Sequence, residues 1–286
     1  MADKLWVGTD SGNEGDLNTA ANWSPSGVPG ASDDVYFRDS SQNVTAGFTS
    51  IATINSLNID MTFTGTFSDF WEVTVANVDI GQNSGFATAA GSQKILLDVK
   101  TTASTINVHN SGNAATAGEA AVQIKGNNSG NVLNVKKGSV EVEPDATESG
   151  TFGTVNVSWV DNRDLDARVV VGSNVTLTTW KQTGGTNFVR TGATTVTNRG
   201  GHLTTEGSGA ITTLNSDAGI TVSNSTGTIT TANVEGKLDC CQSMTARTIT
   251  NLKLNPGGVF ARDPSVVTIT TWTDPDKAVV FTANAC

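Results

Sequence analysis

The 286-residue sequence predicts an all-β chain: a single-stranded right-handed parallel β-helix (β-solenoid) over residues 51–286, behind a small N-terminal capping module at residues 1–50. Three observations carry that expectation. Charged residues make up only 15% of the chain, so its polar mass is Thr, Ser, Asn and Gly. Thr favours strands, whereas Asn and Gly favour the turns between them. A Thr/apolar phrase recurs through the C-terminal half at nearly constant intervals. No proline falls between Pro29 and Pro144 or between Pro144 and Pro256, which leaves long stretches free to pair on both edges.

The repeated phrase sets the register. It reads "TLTTW", "AITTL", "TITTA", "TITNL" and "TITTW", with a looser "GATTV" after the first, and the closing positions are Trp180, Val196, Leu214, Ala232, Leu252 and Trp272. These closing positions are 16, 18, 18, 20 and 20 residues apart. Each is followed by a turn, usually Gly-bearing, and a second short strand, as in "KQTGG-TNFV" and "NVEG-KLDC". That interval is too short for a four-stranded propeller blade but suits one coil of a parallel β-helix. A sandwich of hairpins has no reason to repeat in phase in this way. Equivalent positions then stack about 4.8 Å apart. Leu177, Ile211, Ile229, Ile249 and Ile269 should point inward as one apolar column, with the flanking Thr residues in outward rows. Right-handed winding follows by analogy with parallel crossovers. Upstream, "LNVKKGSVEVEPD" and "TVNVSW" match the later coils more loosely. About ten coils in all would make a rod of roughly 50 Å.

The first forty residues differ, holding two of the six Trp, the single Tyr, and Pro25 and Pro29. Trp6 and Gly8, then Asn22, Trp23 and Ser24, then Pro29, Asp33, Asp34, Val35 and Phe37 form a spaced motif. It resembles the module that opens many bacterial and phage solenoid proteins, including autotransporter-like ones. That resemblance implies a cap built on Trp6, Trp23, Pro29 and Phe37. An open β-helix end exposes unpaired edges and core, and aromatic side chains suit its closure.

The function classes narrow by chemistry. Acidic residues outnumber basic ones 27 to 17, which disfavours nucleic acid and anionic membranes as ligands. No apolar run approaches a membrane span, and "MADKLWVGTD" has no apolar signal region, so assembly in a host cytoplasm is expected. Cys240, Cys241 and Cys286 lack zinc or disulfide-framework spacing and read as reduced thiols. Asp161, Asp164 and Asp166 beside Arg163 and Arg168 read as a solvated loop rather than a carboxylate pair for glycosidic cleavage. "EVEPDATE" (141–148) reads as an exposed turn. His109 and His202 have no second ligand at metal spacing. Neither a catalytic residue nor a cofactor is therefore expected.

What remains is a protein that holds shape. Its character resembles the β-solenoid structural proteins of phage virions. That resemblance implies a non-enzymatic capsid decoration (cement) or head-fibre protein: a homotrimer on the capsid surface that contacts the major capsid protein or another virion protein. Two other classes stay open: a carbohydrate-binding or cleaving tailspike, and a bacterial surface adhesin.

Overall fold

In the computed structural model the chain is all-β, and nearly every strand pairing is parallel. The structure describes residues 2–82, 92–100, 102–115, 117–143, 147, 149–158, 167–273 and 279–281. Among these there is no α-helix, and one 3-10 turn occurs at Ala20–Asn22. The chain divides into two compact units, Met1–Pro144 with Gly150–Phe152, and Asp145–Ser149 with Gly153–Cys286. The first fifty residues thus share a unit with those that follow them.

In the first unit the strands Asp3–Trp6, Asp34–Phe37, Ser56–Asp60, Asn77–Gln82 and Thr105–Val108 pair in sequence order, all parallel. The second half of Val122–Val135 continues that ladder beside Thr105–Val108. Alternation along each strand sends every second side chain inward. Val35, Leu57, Val78, Ile106 and Leu133 are consecutive register partners, each fully buried. Two residues further on, Phe37, Ile59, Ile80, Val108 and Val135 form a second such row. A second ladder runs from Trp71–Val73 to Ile95–Val99, then through the first half of Val122–Val135 to Gly138–Val142.

The second unit repeats the arrangement more evenly. Leu177 pairs with Ala193, Ala193 with Ile211, Ile211 with Ile229, Ile229 with Ile249 and Ile249 with Ile269. From Leu177 to Ile249 each is at most 6% exposed. The parallel row Trp180, Val196, Leu214, Ala232, Leu252 and Trp272 keeps the same steps. Side-chain size varies along it: bulky Trp180 sits over Val196, and Ala232 separates two leucines. The last members, Ile269 and Trp272, are half-buried. Another ladder joins Thr186–Val189, the second halves of Ala193–Thr205 and Ile211–Ser223, then Lys237–Cys240, Val259–Arg262 and Val279–Phe281.

One corner between these two ladders depends on glycine. Gly185, Gly201 and Gly219 have φ of +82°, +76° and +69°. A Cβ on Gly219 would lie 2.5 Å from the carbonyl oxygen of Gly201, and one on Gly201 the same distance from that of Gly185. The backbones therefore stack as closely as they do only because no side chain intervenes.

Candidate interaction surface

The residues expected to form a cap lie together in the first unit. Asp3–Trp6 pairs in parallel with Asp34–Phe37, and antiparallel with the two-residue strand Trp23–Ser24, which lies along it. Trp6 and Trp23 meet edge to face at 5.2 Å between ring centroids, and Phe37 lies 5.7 Å and 5.8 Å from them. Pro29 is buried as well. Phe37 also touches Phe63, Phe67 and Trp71, so the aromatic cluster reaches well past the motif. Each buried indole N–H finds a carbonyl: Trp6 donates to Gln42, Trp23 to Leu17 and Trp71 to Ile51. Such partners offset the cost of burying a polar N–H.

Inside the second unit runs a polar row that the repeated phrase did not announce. Gln182, Asn198 and Ser216 occupy the position two residues past the closing residue of three successive phrases, and each is at most 1% exposed. Gln182 Oε1 accepts from Trp180 Nε1 and Asn187 Nδ2, and Gln182 Nε2 donates to Asn198 Oδ1. Asn198 Nδ2 donates to Thr221 Oγ1 and to the carbonyl of Ile220. Further along, the equivalent positions are Val234 and Leu254, and the row turns apolar. Its sequence signal was the polar residue at a fixed offset from Trp180 and Val196.

Outward from the same strands lies a regular surface. The constant offsets put Thr178, Thr194, Thr212, Thr230, Thr250 and Thr270 in one row. Two residues earlier the row reads Thr176, Gly192, Ala210, Thr228, Thr248 and Thr268. One residue later than the first row it reads Thr179, Thr195, Thr213, Thr231, Asn251 and Thr271. Fifteen of these eighteen positions are Thr and none is charged. The Thr residues of the first two rows are exposed apart from Thr248 and Thr250, which are half-buried. Among the described residues, no threonine hydroxyl of these rows has a protein hydrogen-bond partner.

Charge is kept to other positions. Arg199 pairs with Asp217 at 3.3 Å, Arg190 with Glu206 at 3.2 Å and Lys237 with Asp239 at 3.2 Å. A cleft of about 260 Å³ is lined by Asn156, Ser158, Lys181, Thr183, Thr197 and Arg199, with Val157 and Gln182 behind them. His109 Nε2 lies 3.0 Å from Asp79 Oδ1, with Lys136 Nζ 3.4 Å from its other nitrogen, and His202 is half-buried. Among the described residues no group of three His, Cys, Asp or Glu is placed to hold a metal ion. The cluster Asp161, Arg163, Asp164 and Asp166 lies outside the described residues, whereas Arg168 stacks over the Phe188 ring at 5.6 Å.

Two expectations need correction. Glu143 belongs to a stretch read as an exposed turn, yet it is 4% exposed, and its Oε1 accepts a hydrogen bond from the Gly126 amide. The carboxylate replaces a missing backbone partner, which composition alone does not reveal. Cys241 is disulfide-bonded rather than a reduced thiol, while Cys286 lies outside the described residues. Spacing along a chain says nothing about which thiols the fold brings within reach. Cys240 is free and fully buried, and burial pushes its thiol up to about 12. Close by, Arg247 is 4% exposed and has three backbone acceptors: Ser223, Ser243 and Thr245. It ties the segment 241–246 to the strands.

No protein family matches the chain, and neither a curated protein nor a solved structure is significantly similar to it.

Proposed function

We propose that the chain is a parallel β-solenoid with a structural, non-catalytic role in a phage virion, decorating or cementing the capsid as a homotrimer. The observation that carries this reading is the register of the second unit: six successive strands of one ladder keep equivalent side chains in step, with offsets of 16, 18, 18, 20 and 20. Such a core commits the sequence to a stiff, repetitive shape. The wall-to-wall pairing supports it further, since parallel strands covered on both edges resist both unfolding and stray pairing. The strand Val279–Phe281, on which Val279 is 45% exposed, offers an apolar edge for a neighbouring protomer or the shell. Light scattering on purified protein should give about three times 29.5 kDa. Particles assembled without it should form but break at lower temperature. A stable monomer absent from virions would overturn the reading.

The cleft between Lys181 and Arg199 favours a second reading, a carbohydrate-binding tailspike, because its rim carries amide, hydroxyl and cationic groups suited to sugar hydroxyls. Saturable binding of a host polysaccharide, lost on Arg199→Ala, would select it over the first.

A further inference from the structure

We propose that the threonine rows of the second unit form a surface that binds ice. This inference does not depend on the virion reading, because it concerns a different face from the Val279–Phe281 edge.

Neighbouring parallel strands stand about 4.8 Å apart, and residues i and i+2 on one strand about 6.6 Å apart. Thr176–Leu177–Thr178, Thr228–Ile229–Thr230, Thr248–Ile249–Thr250 and Thr268–Ile269–Thr270 each place two threonines outward around one apolar residue, buried in the first three and half-buried in the last. Stacked in register, with Gly192 and Ala210 interrupting one row on the two strands between the first segment and the second, they make a two-dimensional grid of hydroxyl and methyl groups, with one repeat close to the spacing of second-neighbour oxygens in ice. Each hydroxyl is unengaged within the described protein and can donate and accept at once, as a lattice water does.

Rigidity and charge point the same way. Threonine is β-branched, so few rotamers are open to it and little entropy is lost when the grid meets an ordered surface. Its methyl groups border on water that is already orientationally restricted. A charged side chain would hold its own hydration shell against a lattice, and none stands in the three rows of a chain whose net charge is -10. A second copy of the chain is the other occupant to weigh. Six strands give the grid a length of roughly 24 Å and a width of about 10 Å, far below the ~800 Å² per partner of a stable protein interface. A crystal surface needs no such area in one contact, since growth stalls wherever adsorbed molecules pin it.

The test uses the full-length chain. Wild-type protein should open a gap between melting and freezing temperatures and keep ice grains small during annealing of a frozen sucrose film. Thr212→Lys combined with Thr230→Lys, at the centre of the grid, should abolish both effects, with the melting curve by circular dichroism unchanged. Thr212→Ser with Thr230→Ser, which keeps the hydroxyls and removes two methyls, should weaken them even if the lysine variant is poorly folded. Ile220→Lys, on the other ladder, should behave as wild type. A wild-type protein no more active than an unrelated acidic protein at equal concentration would overturn the proposal. So would light scattering in which the lysine pair dissolves an oligomer, because the grid would then be a protomer interface.

Discussion

Gln182 and Asn198 lie one strand apart inside the second unit, and Gln182 Nε2 donates to Asn198 Oδ1 at 3.1 Å with neither side chain more than 1% exposed. Asn198 Oδ1 also accepts from the Gly200 amide at 3.0 Å, and its Nδ2 serves two acceptors on the next strand. Asn198→Ala would leave these groups buried without partners, and each orphan costs on the order of 1–3 kcal/mol. The urea midpoint should fall by the equivalent of at least about 2 kcal/mol. An unchanged midpoint would mean that water fills the gap at no cost.

Ile229 and Thr230 are neighbours with opposite fates: the first is 1% exposed between Ile211 and Ile249, the second faces solvent. Ile229→Asp puts a carboxylate into the apolar column, at a cost of several kcal/mol. Thr230→Asp should change the melting temperature by only a degree or two, as ordinary surface substitutions do. Equal losses from the two would place the register one residue off.

Gly219→Ala tests the glycine corner. The new methyl would meet the Gly201 carbonyl at 2.5 Å while φ stays near +69°, so clash and strain add. A loss of more than about 1 kcal/mol is expected in chemical denaturation. Gly257→Ala, where φ is +89° but nothing lies within 4 Å, isolates the strain alone and should cost less.

The Cys240 thiol makes stability depend on alkaline pH. Its pKa is raised from 9.0 to about 12 by burial, so the unfolded chain ionises first and the native state keeps its proton. The contribution is fully present below pH 9 and is lost as pH climbs towards 12, at up to about 1.4 kcal/mol per pH unit. Native protein should therefore resist thiol reagents at pH 8 and react after unfolding. Cys240→Ala should flatten the decline of stability above pH 9. A thiol that reacts at once in the native state would show that the site opens.

Trp23→Ala should be among the most damaging changes in the first unit. The indole is 2% exposed, packs on Trp6 and Phe37, and donates to Leu17. Truncation of a buried aromatic of this kind typically costs about 3–5 kcal/mol. Aggregation through the uncovered Asp3–Trp6 strand, detected by light scattering, is expected to accompany the loss.

The sequence by itself determined what repetition can determine. Between Leu177 and Ile269 a fixed side-chain period of two, tied to nearly equal spacings, leaves one register that stacks Leu177, Ile211, Ile229, Ile249 and Ile269 in one row, and the observed partners follow it. It missed Ala193 as the rung between Leu177 and Ile211, because a small residue there carries no hydrophobic signal of its own. In the first unit, steps of 22, 21, 28 and 27 residues separate Val35, Leu57, Val78, Ile106 and Leu133, so uneven loops hid an equally regular row. Only the tertiary structure decided which polar residues turn inward. Gln182, Asn198 and Glu143 are polar in sequence and buried in the fold because a neighbouring strand supplies their hydrogen bonds, and no local pattern encodes a partner sixteen or more residues away. The threonine grid belongs to both. Its residues were legible as repeats, but a grid exists only once the strands are stacked in register and their outer face is left uncovered.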